Sequence, residues 1–259
     1  MMKKFALVPL AILLAAPVFA QDGDIIDPAD VTKVYTQAGV LLSGNSDIQL
    51  QGQISGGLEN GQQFALLAEA YFKDEDRNAN DFGSDYTNSR FQYFHVFEPG
   101  FHAVPKLGFS VDYINTRDDA AGMNNDLISI GGVAAINPAY TAGLLVFPRL
   151  GVITGDIELT QQGIDDSVSG FSAGLITAKY LGDSGSYLHF TPEYQSVSGD
   201  TIEMDTVSFK AGINAPLNSA RTWWVNTRFD YTKTSLSTNN IALPSDWQSE
   251  VWFGIRKYF

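Results

Sequence analysis

From residue 33 onward, apolar and polar side chains alternate in short runs separated by clusters of Gly, Pro, Asn, Asp and Ser. In "DIQLQGQISGGL" (47–58), Ile48, Leu50 and Ile54 alternate with Gln49, Gln51 and Gln53. A period of two puts these sets on opposite faces of a strand. The pattern predicts twelve strands, near 33–43, 47–58, 62–73, 88–98, 102–115, 126–137, 140–153, 168–181, 186–196, 205–214, 221–232 and 247–259.

The connections alternate too. "ENGQ" (59–62), "EPGF" (98–101), "NPAY" (137–140), "GDSG" (182–185) and "PLNSA" (216–220) are tight-turn sequences. The other set is mostly long and polar, at 73–88, 115–126, 154–167 and 233–246, with only 43–47 and 197–204 brief. A β-sandwich has no reason to sort its links this way. A transmembrane antiparallel up-and-down β-barrel does, with short periplasmic turns, longer extracellular loops and, for an even strand number, both termini on the periplasmic side.

The strand faces fit lipid outside and a polar lumen inside. Leu107, Phe109, Val111 and Tyr113 alternate with Lys106, Gly108, Ser110 and Asp112. Val207, Phe209, Ala211 and Ile213 alternate with Thr206, Ser208, Lys210 and Gly212, and Trp223, Val225, Phe229 and Tyr231 with Asn226, Arg228 and Asp230. A dry soluble core does not accept Lys, Arg and Asp in strand centres without specific pairing. Aromatic residues gather at strand ends, Phe97, Phe101, Tyr140, Tyr180, Trp223 and Tyr258 toward the short turns. Tyr71, Phe72, Phe91, Tyr113, Phe171, Tyr231 and Trp247 lie toward the long connections, as interfacial girdles require.

Ahead of the strands, "MMKKFALVPLAILLAAPVFA" has a positive start at Lys3 and Lys4, a short apolar stretch and small residues before Ala20. It reads as a secretory signal peptide over 1–20; a membrane anchor is the alternative, but Pro9 and Pro17 interrupt the run. Residues 21–32 read as a flexible periplasmic lead-in, and 33–259 as the barrel. Removing the two lysines takes the net charge from −13 to −15, which excludes nucleic acid as a partner. There is no cysteine, so the exported chain holds together without disulfides.

The chain closes on "EVWFGIRKYF", in which Val251, Phe253, Ile255 and Phe259 share a face interrupted by Lys257. Signal peptide, alternating strands and this ending together resemble the bacterial (Gram-negative) outer-membrane β-barrel proteins. The resemblance implies an outer-membrane location among lipid and lipopolysaccharide. It also implies that Val251, Phe253, Ile255 and the terminal Phe259 form the recognition signal for the barrel-assembly machinery. Lys257 departs from the family, which usually has an aromatic there, and the resemblance names no subfamily.

Catalysis is not expected. Outer-membrane phospholipases resemble a His and a Ser two positions apart on one strand; the nearest match is His189-Phe190-Thr191, with Thr in the nucleophile's place. The omptin proteases resemble an Asp pair plus an Asp-x-His couple. Asp74-x-Asp76 exists, but Tyr93, Gly100 and Tyr187 stand two before His95, His102 and His189. The histidines have no metal-ligand spacing, and "KDEDRNAND" lacks the pattern of a calcium loop, so no cofactor is expected.

The lumen remains. Parity assigns it Glu69, Arg90, Lys106, Asp112, Arg149, Glu193, Lys210, Arg228, Asp230, Glu250 and Arg256, six positive against five negative. The acid surplus therefore belongs to loops and termini. Charges on separate walls make a narrow channel for small polar solutes or ions, with cations favoured by an acidic vestibule. Charges paired across the lumen make a salt-bridged plug and a structural or surface-binding barrel. The uncharged lining of Gln49, Gln51, Gln53, Ser110, Thr206, Ser208 and Asn226 favours the channel. A soluble exported all-β binding protein is the outside alternative.

Overall fold

The computed structural model describes residues 25–73, 85–118, 122–239 and 241–259. The segment 1–20, expected to be a signal peptide, and all but the ends of the acidic connection 73–88 lie outside the described residues.

The short strands come first, with β1 at Gln37–Ser43, β2 at Ile48–Gly57 and β3 at Gln63–Lys73. β4 (Asp85–Phe97), β5 (Lys106–Asp118) and β6 (Met123–Ala135) are longer, and a 3-10 turn at Pro138–Tyr140 precedes β7 (Leu145–Leu159). β8 (Ile164–Tyr180), β9 (Tyr187–Ser198), β10 (Ile202–Pro216) and β11 (Trp223–Thr238) follow. A two-residue β12 (Ile241–Ala242) and β13 (Gln248–Tyr258) complete the chain.

Around the ring each strand pairs antiparallel with its neighbour, β11 with β13 past the two-residue β12, and β13 closes onto β1 from Gln37↔Tyr258 to Ser43↔Trp252. The ring holds 12 strands; β12 lies outside it, paired only with the tip of β11. Closure leaves no open sheet edge, so the ring satisfies its own backbone groups as a bilayer demands. The fold is a transmembrane antiparallel β-barrel, as the alternation predicts.

The wall is uneven in height. β1 has 7 residues and β8 has 17, a difference of about 33 Å of strand path at ~3.3 Å per residue. Three connections expected to be long are mostly strand. β5 runs to Asp118 and β6 starts at Met123; β7 runs to Leu159 and β8 starts at Ile164; β11 runs to Thr238.

The reason is a reversal of polarity along one strand. On β7 the outward positions read Leu150 and Val152, then Thr154, Asp156 and Glu158, while the inward ones read Arg149 and Gly151, then Ile153, Ile157 and Leu159. β10 does the same in reverse order, with inward Lys210, Ser208 and Thr206 giving way to Met204 and Ile202. Side-chain parity is unbroken; the surroundings change. In lipid the outer face must be apolar, and above it the outer face meets water. The inward apolar residues then pack together. Leu127, Ile153, Ile157, Leu159, Val168, Val197, Ile202 and Met204 form one buried cluster above the lumen.

Candidate functional site

Inside the barrel the charged side chains fall into two arcs. Around β5, β4 and β3, Arg90 Nε donates to Asp112 at 2.6 Å, Gln92 Nε2 donates to the same oxygen at 2.9 Å, and Arg90 lies 3.8 Å from Glu69. Gln49 carries this arc onward, since its Nε2 donates to Glu69 at 3.2 Å and its oxygen accepts from Arg228 at 3.2 Å. Arg228 also donates to Asp230 at 3.0 Å and lies 5.3 Å from the centre of the Trp252 ring. The second arc is the ion pair of Arg149 on β7 with Glu193 on β9. It spans β8 because Gly174 stands between them; a Cβ there would come 2.9 Å from Arg149 Nε.

Both arcs run along the wall and leave a polar cavity of ≈ 470 Å³ between them. Of the residues that parity assigns to the lumen, Arg90, Asp112, Arg149, Glu193, Lys210 and Arg256 line this cavity. Glu69, Arg228 and Asp230 stand behind it in the first arc. Lys106 opens β5 at the short-turn end opposite Ala135, and Glu250 faces Asp230 toward the other end. Lys210 and Arg256 form no ion pair among the described residues; Arg256 instead donates to Tyr258 Oη at 3.2 Å.

The ends of the cavity differ. Ile114 and Ile153, at the edge of the apolar cluster, bound it on the side of the tall strands. On the short-turn side it is bounded by Pro28, Val31, Val34 and Tyr35. The stretch 25–36 folds against the barrel as a strap, although 25–32 were expected to be flexible lead-in and 33–36 to open the first strand, which starts only at Gln37. Tyr180 Oη donates to the Asp27 carboxylate at 2.7 Å, Tyr187 Oη to the Pro28 carbonyl at 3.3 Å, and Gln53 Nε2 to the Tyr35 carbonyl at 2.9 Å. Ala29 is buried with Ala178, Tyr187, Trp224 and Tyr258. Lys33 pairs with Asp27 at 2.9 Å. Burial works against the Lys33 ammonium, but the hydrogen bond and charge of Asp27 outweigh it and hold its pKa above the ordinary 10.5.

Three expected girdle residues prove to be inward, one of them Tyr180, which shares the parity of Gly174 and binds Asp27 of the strap. Tyr258 is 2% exposed among strap and lumen aromatics, and Tyr71 meets Trp252 edge-on at 6.2 Å. The other rings expected on the outside include Tyr231, on which Trp247 stacks at 4.4 Å. The histidines stay apart. His95 contacts Tyr93 and Gln62 at 2.9 and 2.8 Å, His102 contacts Tyr140 at 3.0 Å, and His189 lies inward over Gly212. On the last strand Val251, Phe253 and Ile255 are exposed on the outer face. Phe259 N donates to the Thr36 carbonyl at 3.0 Å, joining the chain end to the strap.

No protein-family profile matches the sequence, and no curated protein matches it significantly. Solved structures do. A structure from a study of the in-meso crystallization of membrane proteins aligns with a TM-score of 0.51 at 14% identity, over 87% of this chain and 84% of that one. The KdgM porin aligns at 0.45 and 13%, over 87% and 99%. The beta domain of the Bordetella autotransporter Brka aligns at 0.43 and 10%, over 86% and 97%. The likeness is one of fold alone.

Proposed function

We propose that this barrel sits in a bacterial outer membrane and is a narrow, non-enzymatic passage for small polar solutes or ions. One observation carries the reading. The lumenal ion pairs run along the wall and leave a polar cavity between them, where a plug would pair its charges across the middle. Neutralised arcs with a wettable lining present small barriers to a hydrated solute. Lys210 and Arg256, outside the pairs, tilt the chamber toward anions. That is opposite in sign to the cation preference expected from the acidic connections.

The apolar cluster above the cavity favours a second reading, a structural or surface-binding barrel whose tall strands form a closed extracellular platform. Planar-bilayer conductance separates the two. The refolded protein is expected to conduct, and shortening the strap by removing 25–32 is expected to raise the conductance or the open time. If neither protein conducts while both show the heat-modifiable migration of a folded barrel, the passage reading fails and the platform reading replaces it.

A further inference from the structure

We propose that the outer wall over β8–β11 binds one glycerophospholipid of the periplasmic leaflet, with an acyl chain in a groove over Ala211 and Thr227 and the phosphate at Lys179. The groove, ≈ 500 Å³, is on the outside of the barrel and separate from the lumen. Its shape follows from register. One row of outward neighbours reads Phe190, Ala211, Phe229 and Val251, and the next reads Lys179, Leu188, Ile213 and Thr227. Small Ala211 lies between Phe190 and Phe229 in the first row and small Thr227 follows Leu188 and Ile213 in the second, so the two form a floor among walls of Phe190, Phe229, Leu188 and Ile213. Those four walls are 40–49% exposed and have no protein cover.

Charge identifies the occupant. His189 and Arg228 touch the groove only from strand positions whose side chains point into the lumen, so Lys179 supplies its one outward charge. Lys179 is exposed and makes no hydrogen bond or ion pair among the described residues. It lies one residue from the end of β8, beside the short turn 181–186 and therefore at the periplasmic boundary. The comparable outward lysine, Lys257, is already engaged, 5.1 Å from the Trp223 ring and 5.0 Å from that of Phe259. A lysine on an apolar wall reaches for the headgroup zone, and an uncommitted ammonium there attracts anionic lipid. An acyl-sized recess ending at such a cation matches a lipid with a charged head better than a flat protein face.

The test is native mass spectrometry of the full-length protein, delipidated in mild detergent and titrated with dioleoylphosphatidylglycerol. One retained lipid per barrel is expected. Lys179→Gln should weaken retention about tenfold, the effect of losing a charge-assisted contact, and Lys179→Arg should restore it. Ala211→Phe, which fills the groove from the lipid side, should abolish it while the barrel keeps its heat-modifiable migration. Equal retention by wild type, Lys179→Gln and Ala211→Phe would overturn the proposal. So would a wild-type dimer that carries no lipid and becomes monomeric on Ala211→Phe, because a second copy would then occupy the groove.

Discussion

The two halves of the tall strands obey the same geometry and opposite chemistry. Between Pro148 and Val152 on β7 the apolar side chains point out of the barrel, and between Ile153 and Leu159 they point in. No bulge or register shift separates the halves; β7 pairs with β8 in one register from Leu145↔Ala178 to Leu159↔Ile164. What changes is the medium outside. A strand that leaves lipid must exchange its apolar outer face for a polar one, and its inner face is then free to become a conventional dry core. The lower half encloses a polar cavity and charge. The upper half is a small water-excluding core built on the same ring.

The sharpest way to break this comparison is to place a charge in the upper core. Ile157 is 0% exposed, and Ile157→Asp leaves a buried carboxylate without a partner. A loss of ~4 kcal/mol or more is expected, read as collapse of amide protection in the projecting halves of β6–β10. Asp165→Leu, outward on the paired strand, should change stability by no more than ~0.5 kcal/mol. Comparable losses from both would mean that the tall strands are not a core.

Moving an arginine along one outer face sharpens the comparison further. Leu150, 69% exposed, faces lipid, and Leu150→Arg should cost ~2–4 kcal/mol if it lies near the midplane. Glu158→Arg, eight residues on and still outward, should cost ~0–1 kcal/mol. Refolding equilibria in lipid vesicles measure both, and a flat profile would put the membrane boundary elsewhere.

The upper core also has one polar anchor. Asp166 points inward at the level of Ile157 and accepts from the backbone of Thr201 and Ile202 at 2.7 Å each and of Asp200 at 3.2 Å, tying the β9–β10 turn to β8. It lies beyond the lipid-facing stretch of β8. The backbone hydrogen bonds, with that from Ile202 foremost, outweigh desolvation and hold its carboxyl below the ordinary 3.8. A depressed pKa stabilises the fold above the unfolded value and loses that contribution as pH falls through the folded one. The turn should therefore stay protected from exchange at neutral pH and down to pH 3.8, and loosen only below it. Asp166→Asn should loosen it at every pH, by ~1–3 kcal/mol. An unchanged turn in Asp166→Asn would remove the anchor.

The lower half was largely legible in the sequence because lipid enforces a simple alternation on it. Every strand and the parity of Arg90, Arg149, Lys210 and Arg228 follow from a period of two. The upper half was missed where 115–126, 154–167 and 233–246 looked like loops. In "TGDIELTQQGIDDS" the alternation persists, with Ile157 and Leu159 on one face and Asp156 and Glu158 on the other, but its acidic residues suggest a loop to any reading that expects apolar residues outside. The strap was illegible for another reason. Asp27, Pro28 and Tyr35 have no periodicity, and their partners Tyr180, Tyr187 and Gln53 are brought to them only by closure of the ring. Pairing within the lumen was equally hidden, because parity assigns a face and not a neighbour. Gly174, which lets Arg149 reach Glu193, carries no such signal in its own residue type.

The smallest expected effect concerns the lower half alone. Arg90 and Arg149 are held in ion pairs with Asp112 and Glu193, so replacing either would leave the buried carboxylate of Asp112 or the half-buried one of Glu193 without its partner and confuse selectivity with folding. Lys210 lines the same cavity without an ion pair among the described residues, so Lys210→Gln removes one positive charge and leaves both arcs intact. In a conducting barrel this should lower the anion-to-cation permeability ratio with little change in stability. The shift should be larger at 0.01 M salt, where the Debye length is ~30 Å, than at 1 M, where it is ~3 Å. Neutralising the acids of 73–88, which are expected from the sequence to draw cations to the mouth, should move the ratio the other way. Reversal potentials across a salt gradient measure both variants on single channels. If Lys210→Gln leaves the ratio unchanged while the acidic connection alone controls it, the chamber is not where ions are sorted.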